Sequence, residues 1–150
     1  MPTSPNIGNF FEAILFDMDG TLVNSEPYWL ESETALMAKY DYVWTIQDQG
    51  NCLGGPLSHV GEYMFPLSGF QESPEFFTKS LIEQMVEKLK AGVALMEGAH
   101  DLLDLCDQIG IPTALVSASP RVLVDAAISD IKNANFHISV SSDDVTRVKP

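Results

Sequence analysis

Residues 10–21 read FFEAILFDMDGT, and this stretch decides the fold. Its first part, 10–16, is a nearly continuous apolar run that stops at Asp17. Such a run is typical of a strand that is buried on both faces and ends at a polar rim. Two similar runs occur later, IPTALV at 111–116 and the weaker FHISV at 136–140. The sequence therefore predicts three strands, each followed by polar residues.

The segments between these strands carry helical patterns. Residues 26–40 place apolar side chains near helical spacing, and 73–92 begins with Ser-Pro-Glu, repeats apolar residues every four positions and ends at a glycine. Two more helices, 99–109 and 119–131, each lead toward the next strand. The order strand, helix, strand, helix, strand predicts a parallel sheet.

The helical segment after the first strand is too long for a simple crossover. We therefore predict an α/β fold in which a Rossmann-like parallel sheet core, residues 10–23 and 97–150, carries an inserted helical cap domain at 24–96. Residues 1–9 are polar and contain proline and glycine, so we expect them to form a flexible terminus.

Composition and charge narrow the possible functions. Of the 150 residues, 45% are hydrophobic, which is ordinary for a folded domain, and the formal net charge is -13. Such a surface repels phosphodiester backbones and anionic lipid, so we expect no nucleic-acid or membrane partner. Cys52 and Cys106 are far apart and fit reduced thiols. With no long apolar run and no signal-peptide pattern, we predict a cytoplasmic protein.

Polar residues at the predicted strand ends suggest a phosphate site. Asp17 and Asp19 follow the first strand, Ser117 follows the second, and Lys149 comes near the end of the chain. Two carboxylates can share nucleophilic and proton-transfer roles and attract a divalent cation, whereas a lysine offsets their repulsion. The Ser-Ala-Ser turn at 117–119 offers backbone N–H groups to phosphate oxygens.

Together these segments resemble the signatures of the haloacid-dehalogenase-like hydrolases. FDMDGT at 16–21 is similar to the first signature, LVSAS at 115–119 to the second and RVKP at 147–150 to the third. The longer string FDMDGTLVNSEP at 16–27 resembles the branch that contains β-phosphoglucomutase and 2-deoxyglucose-6-phosphatase. The order of the signatures and the helical segment between the first two agree with this resemblance.

The resemblance implies a role for each matching residue. Asp17 would be the nucleophile that accepts the phosphoryl group. Asp19 would act as general acid and base, and its carbonyl would ligate Mg²⁺, the implied cofactor, together with Asp17. Ser117 and Lys149 would complete the catalytic set. The phosphate-binding residues would be Met18, Asp19, Ser117, Ala118 and Lys149.

The cap gives weaker information about the substrate. Residues 50–57 (GNCLGGPL) resemble the cap loop that reaches the site in this branch, and they lack the pattern of a nucleotide-binding P-loop. Gly54 and His59 are the candidate substrate contacts. Because the loop is apolar where the mutases carry basic residues, a phosphatase is favoured over a phosphomutase. Asp19 also disfavours a dehalogenase. An acid at this position is needed to cleave a phosphate ester, because the alkoxide leaving group must take up a proton.

We therefore predict a Mg²⁺-dependent phosphatase of a small phosphorylated metabolite, in particular a sugar phosphate. The family's fourth signature, which supplies further Mg²⁺ ligands, is missing from this sequence. We accordingly expect a fragment or a truncated chain that lacks useful activity alone, and a monomer when complete. The alternatives are a phosphomutase and a noncatalytic module that binds a phosphorylated ligand or a protein. A receiver-type phosphoacceptor domain does not fit the long helical insertion.

Overall fold

A computed structural model describes residues 11–131 and 135–149 of the chain. It divides into two compact units, of which one contains the segments up to Asn24 and from Val93 onward, and the other is Ser25–Gly92. The predicted flexible terminus at 1–9 and the last residue of the third signature, Pro150, lie outside the described residues.

The first unit is built on a parallel sheet. Within the described residues its strands are β1 (Ile14–Phe16), β2 (Thr113–Val116) and β3 (Ile138–Val140), in the order β1-β2-β3. Both neighbouring pairs are parallel. The predicted α/β fold with a parallel sheet is therefore confirmed, and all three strands point their carboxyl ends toward the same edge.

The predicted burial of the first strand on both faces is wrong. Phe16 is buried, but Leu15 is 67% exposed, and Ile138, on the same face of the sheet, is also exposed. Successive side chains of a strand point to opposite faces, and the register aligns Leu15 with Ala114 and Ala114 with Ile138. The apolar run therefore marks a strand that is buried on one face and, among the described residues, exposed on the other.

The helices of this unit are α5 (Ala99–Ile109) and α6 (Arg121–Asp130). Helix α5 ends at Gly110, whose φ of +68° lies in the left-handed region that glycine adopts readily, and the chain then turns into β2. The buried apolar residues contributed by the strands and these two helices include Phe16, Leu103, Leu115, Leu123, Val124 and Ala127. None of the helices in the described ranges is both long enough and apolar enough to cross a membrane.

The second unit, Ser25–Gly92, is helical. It contains α1 (Glu26–Met37), α2 (Ile46–Cys52), α3 (Leu57–Leu67) and α4 (Pro74–Ala91), and a 3₁₀ turn, Ala38–Tyr40, extends α1. Helix α4 matches its prediction closely. The Ser73 hydroxyl accepts the Phe76 N–H at 3.2 Å, and the chain leaves the helix at Gly92.

The core of the helical unit combines apolar packing with buried polar groups. Its buried apolar residues include Leu36, Met37, Trp44, Cys52, Val60, Met64, Phe77 and Leu81. Glu33 of α1 is only 4% exposed and accepts the Trp44 indole N–H at 2.9 Å. Burial raises the pKa of Glu33 to about 7, and the negative charge of Glu26 adds to this effect, whereas the Trp44 hydrogen bond opposes it.

Candidate active site

A tight turn follows β1 and sets the positions of the two aspartates. The Met18 carbonyl accepts the N–H groups of Thr21, Leu22 and Val23 at 2.9 to 3.3 Å, and the Met18 side chain is buried. Gly20 has a φ of +70°, which the turn requires and which other residues adopt at a cost. The local sequence thus fixes the backbone on both sides of Asp19.

Asp17 lies at the carboxyl end of β1 and is paired with Lys149. The Lys149 ammonium donates to Asp17 Oδ1 at 2.5 Å and to the Val116 carbonyl at 2.9 Å. The Thr21 hydroxyl donates to the other carboxylate oxygen, Oδ2, at 3.1 Å. Both side chains of the ion pair remain more than two-fifths exposed, so the nucleophile candidate is charge-balanced, oriented and accessible.

Asp19 is bound by two serines from the turn that follows β2. The Ser119 hydroxyl donates to Asp19 Oδ2 at 2.7 Å, and the Ser117 hydroxyl donates to the same oxygen at 3.4 Å. The Ser119 N–H donates in turn to Ser117 Oγ at 3.0 Å. Ala118 is exposed between the two serines. The first two signatures are therefore joined directly through side chains.

The turn at 117–119 is also tied to the end of β3. The Ser117 N–H donates to the Val140 carbonyl at 2.9 Å, and the Ser142 N–H donates to the Ser119 carbonyl at 3.0 Å. Both bonds are between backbone groups, so they hold the turn whichever side chains it carries. The serine hydroxyls are thereby placed by the sheet.

A short 3₁₀ turn, Ser142–Asp144, follows β3 and is stabilised by charge. The hydroxyl and N–H of Ser141 donate to Asp144, and Arg121 at the start of α6 donates to it as well. These bonds lower the pKa of Asp144 to about 2, with the Ser141 hydroxyl as the largest cause. Arg121 also donates to the Ser139 hydroxyl and carbonyl, so it links α6 to β3.

The donor set fits part of a magnesium shell. Mg²⁺ prefers about six oxygen ligands, and the Asp17 carboxylate and the Asp19 backbone carbonyl offer oxygens just after one strand. In residues 11–131 and 135–149, no group of three or more His, Cys, Asp or Glu side chains could hold a metal ion. Asp17 and Asp19 are therefore compatible with part of such a shell, and further oxygen ligands would be needed to complete it.

The candidate substrate residues Gly54 and His59 belong to the helical unit. Gly54 has a φ of +76° in the short connection between α2 and α3, and His59 lies in the first turn of α3 with Nδ1 4.0 Å from Glu62. The predicted loop at 50–57 is shorter than expected, because α2 runs to Cys52 and α3 begins at Leu57. Only Leu53, Gly54, Gly55 and Pro56 connect the two helices.

The sequence did not assign side-chain roles to Thr21 and Ser119. Both belong to the stretches quoted above, FDMDGT and LVSAS. Their hydroxyls in fact bind the two aspartates. The sequence signal for Ser119 is that two serines lie two positions apart at a strand end. In such a pair, one hydroxyl can bind a ligand and the other can bind a neighbouring side chain.

The chain belongs to the haloacid dehalogenase-like hydrolase family, whose model matches residues 14–150. It is 26% identical over 157 residues to a bifunctional riboflavin kinase/FMN phosphatase of Arabidopsis thaliana, covering 100% of this chain and 40% of that protein. It is 25% identical over 144 residues to hexitol phosphatase B of Escherichia coli strain K12, covering 92% of this chain and 64% of that protein.

A solved structure from Thermotoga maritima, provisionally named a β-phosphoglucomutase, shares the fold with a TM-score of 0.74 at 23% identity. The match covers 93% of this chain and 65% of that one. The expected resemblance to the branch of β-phosphoglucomutase and sugar phosphatases is thus confirmed. The chain spans less than two thirds of the length of each of these three relatives.

Proposed function

We propose that this chain carries the reacting carboxylates of a Mg²⁺-dependent phosphatase that forms an aspartyl-phosphate intermediate. The observation that carries the proposal is the arrangement of Asp17 and Asp19 at one strand end, the first paired with Lys149 and the second held by two serine hydroxyls. A charge-balanced carboxylate beside a second, oriented carboxylate can divide nucleophilic attack and proton transfer between them.

In the first step, an Asp17 oxygen attacks the phosphorus of a phosphate monoester. The bond between phosphorus and the ester oxygen breaks, and that oxygen takes a proton from the Asp19 carboxyl group. In the second step, Asp19 removes a proton from water, the water oxygen attacks phosphorus, and the bond to Asp17 breaks. Inorganic phosphate leaves, and Asp19 is again protonated for the next cycle.

The remaining residues neutralise charge and orient the phosphate group. Lys149 neutralises negative charge next to Asp17, and the hydroxyl of Ser117 with the backbone N–H groups of Met18, Asp19 and Ala118 would bind phosphoryl oxygens. The Asp17 carboxylate and the Asp19 carbonyl would hold Mg²⁺ together with ligands from outside the described residues. When bound, the cation neutralises phosphate charge, which is the main requirement of phosphoryl transfer.

We propose a small phosphorylated metabolite as the substrate, in particular a sugar phosphate. This proposal is supported by the names of two relatives, an FMN phosphatase and a hexitol phosphatase. Residues 24–96 would act as the cap domain, with Gly54 and His59 contacting the substrate. Leu53, which neighbours Gly54, is exposed and apolar, so the loop offers little charge for a second phosphate group, and this favours a phosphatase over a phosphomutase.

The test is a panel of sugar phosphates and FMN, assayed for phosphate release with the full-length natural protein, with and without Mg²⁺. We expect Mg²⁺-dependent release that falls by orders of magnitude in Asp17→Asn. Asp101→Asn, a surface aspartate in the first turn of α5, is the matched control and should keep wild-type activity. Release that survives Asp17→Asn in a pure sample, or that never requires a divalent cation, would contradict the proposal.

A further inference from the structure

Two serine hydroxyls converge on a single carboxylate oxygen, Asp19 Oδ2, and they are not equivalent. The Ser119 bond is short, at 2.7 Å, whereas the Ser117 bond, at 3.4 Å, is near the outer limit for a hydrogen bond. A hydroxyl has one proton to donate. Ser119 therefore donates its one proton to Asp19 in a strong hydrogen bond, whereas the hydrogen bond from Ser117 to Asp19 is weak.

The position of the Ser119 hydroxyl is fixed by its backbone. Its N–H donates to Ser117 Oγ at 3.0 Å, and its carbonyl accepts the Ser142 N–H at 3.0 Å. Pro120 follows directly and restricts the chain as it enters α6. With bonds on both sides, the Ser119 side chain meets a carboxylate 100 positions earlier in the chain without a large entropic cost.

We propose that Ser119 is a positioning residue that orients the Asp19 carboxylate for proton transfer and leaves the Ser117 hydroxyl to bind phosphate. This inference rests on the proposed function and deepens it. Proton transfer requires the acid to lie within hydrogen-bond reach of the leaving oxygen, so a carboxylate that rotates away loses rate without losing substrate binding. A short hydroxyl bond to one oxygen prevents that rotation.

The proposal separates two kinds of substrate. An alkyl phosphate such as a sugar phosphate needs a proton on its leaving oxygen, whereas the phenolate of 4-nitrophenyl phosphate leaves with little help. Loss of an orienting hydrogen bond to a charged group typically costs about ten- to a hundredfold in rate. Ser119→Ala should therefore slow phosphoenzyme formation from a sugar phosphate by about this factor, and phosphoenzyme formation from the aryl phosphate by much less. Hydrolysis of the intermediate is common to both substrates and also uses Asp19, so the comparison is made on the first step alone.

The experiment measures the rate of phosphoenzyme formation in a single turnover, as a function of substrate concentration, for both substrates in the full-length protein and its variants. We expect Ser119→Ala to slow phosphoenzyme formation selectively with the sugar phosphate and to leave substrate binding nearly unchanged, and Ser119→Thr, which keeps the hydroxyl, to restore the rate. The matched control is Ser129→Ala, which removes an equally short hydroxyl bond, 2.7 Å to the Ala126 carbonyl in α6, away from the site. Thermal melts of each variant check folding.

Unchanged kinetics in Ser119→Ala, equal losses in the rate of phosphoenzyme formation from both substrates, or a loss of substrate binding that threonine does not reverse would overturn the inference. Each of these results would leave the proposed function standing, because the wild-type protein would still turn over. A wild-type protein without phosphatase activity would instead refute the proposed function, and the inference with it.

Discussion

Glu33 offers a quantitative test of the structure, because the helical unit buries a carboxyl group that the proposed chemistry does not use. Its pKa is raised from 4.5 to about 7, and desolvation by burial is the largest cause. The folded unit therefore binds a proton at Glu33 more tightly than the unfolded chain does. Between these two pKa values the folded state holds more protons, so its stability falls as pH rises.

The size of the effect follows from the shift. Each pKa unit corresponds to about 1.36 kcal/mol, so raising the pKa of Glu33 from 4.5 to about 7 corresponds to about 3 kcal/mol in the free energy of unfolding. Proton binding at Glu33 contributes this amount to the free energy of unfolding in full below pH 4.5, and the contribution is lost by pH 8. Glu33→Gln removes the titration and keeps an oxygen to accept the Trp44 indole N–H, which is bound at 2.9 Å. The variant should therefore match the wild type near pH 4.5 and be more stable by up to about 3 kcal/mol at pH 8.

The assay is urea unfolding followed by tryptophan fluorescence at several pH values. The sequence has two tryptophans, Trp29 and Trp44, and both lie in the helical unit, so the signal reports that unit. Glu87→Gln, at an exposed position of α4, is the control and should change stability by no more than about 0.5 kcal/mol. A difference between Glu33→Gln and the wild type that does not vary with pH would refute the reasoning.

Three further predictions concern packing, thiols and proton transfer. Gly61→Ala should destabilise the helical unit by about 1–3 kcal/mol in the same assay, because a methyl group there would overlap the Pro74 carbonyl and Thr78 hydroxyl of α4. Gly50→Ala in α2, which has open space around it, should be neutral or stabilising, and an equal loss in both would contradict the packing. Cys52 and Cys106 are buried, and burial raises the pKa of Cys52 to about 11, so Ellman's reagent at pH 8 should label neither until urea is added. Asp19→Asn should slow phosphoenzyme formation from a sugar phosphate far more than from 4-nitrophenyl phosphate, and equal losses in that step would mean that Asp19 serves metal binding or folding.

Signals that are local in the sequence predicted structure well. Helix α4 has a capping serine at Ser73, a four-residue apolar repeat and a terminal glycine, and it forms where expected. Helix α2 was not predicted individually, because IQDQGNC has no apolar repeat. Its signal was the capping box between Thr45 and Asp48, whose side chains bind each other's backbone N–H groups.

Features that depend on tertiary structure were harder to predict. The apolar run before Asp17 indicated a strand, but whether both faces of that strand are covered depends on residues distant in sequence, and Leu15 is exposed. The aspartates, Ser117 and Lys149 were candidates from the sequence, and the structure brings Lys149 to Asp17 and Ser117 to Asp19. The bond from Ser119 to Asp19 joins residues 100 positions apart, so only the fold reveals it.

The central claim is that Asp17 accepts the phosphoryl group. The most direct measurement is mass spectrometry of the full-length protein, quenched with acid during turnover and mapped by peptide. The account predicts an added phosphoryl group on the peptide that contains Asp17, its absence in Asp17→Asn, and its accumulation in Asp19→Asn supplied with an aryl phosphate, because hydrolysis of the intermediate then lacks its base. Phosphate release with no covalent label, or with the label on another residue such as Ser117, would contradict it.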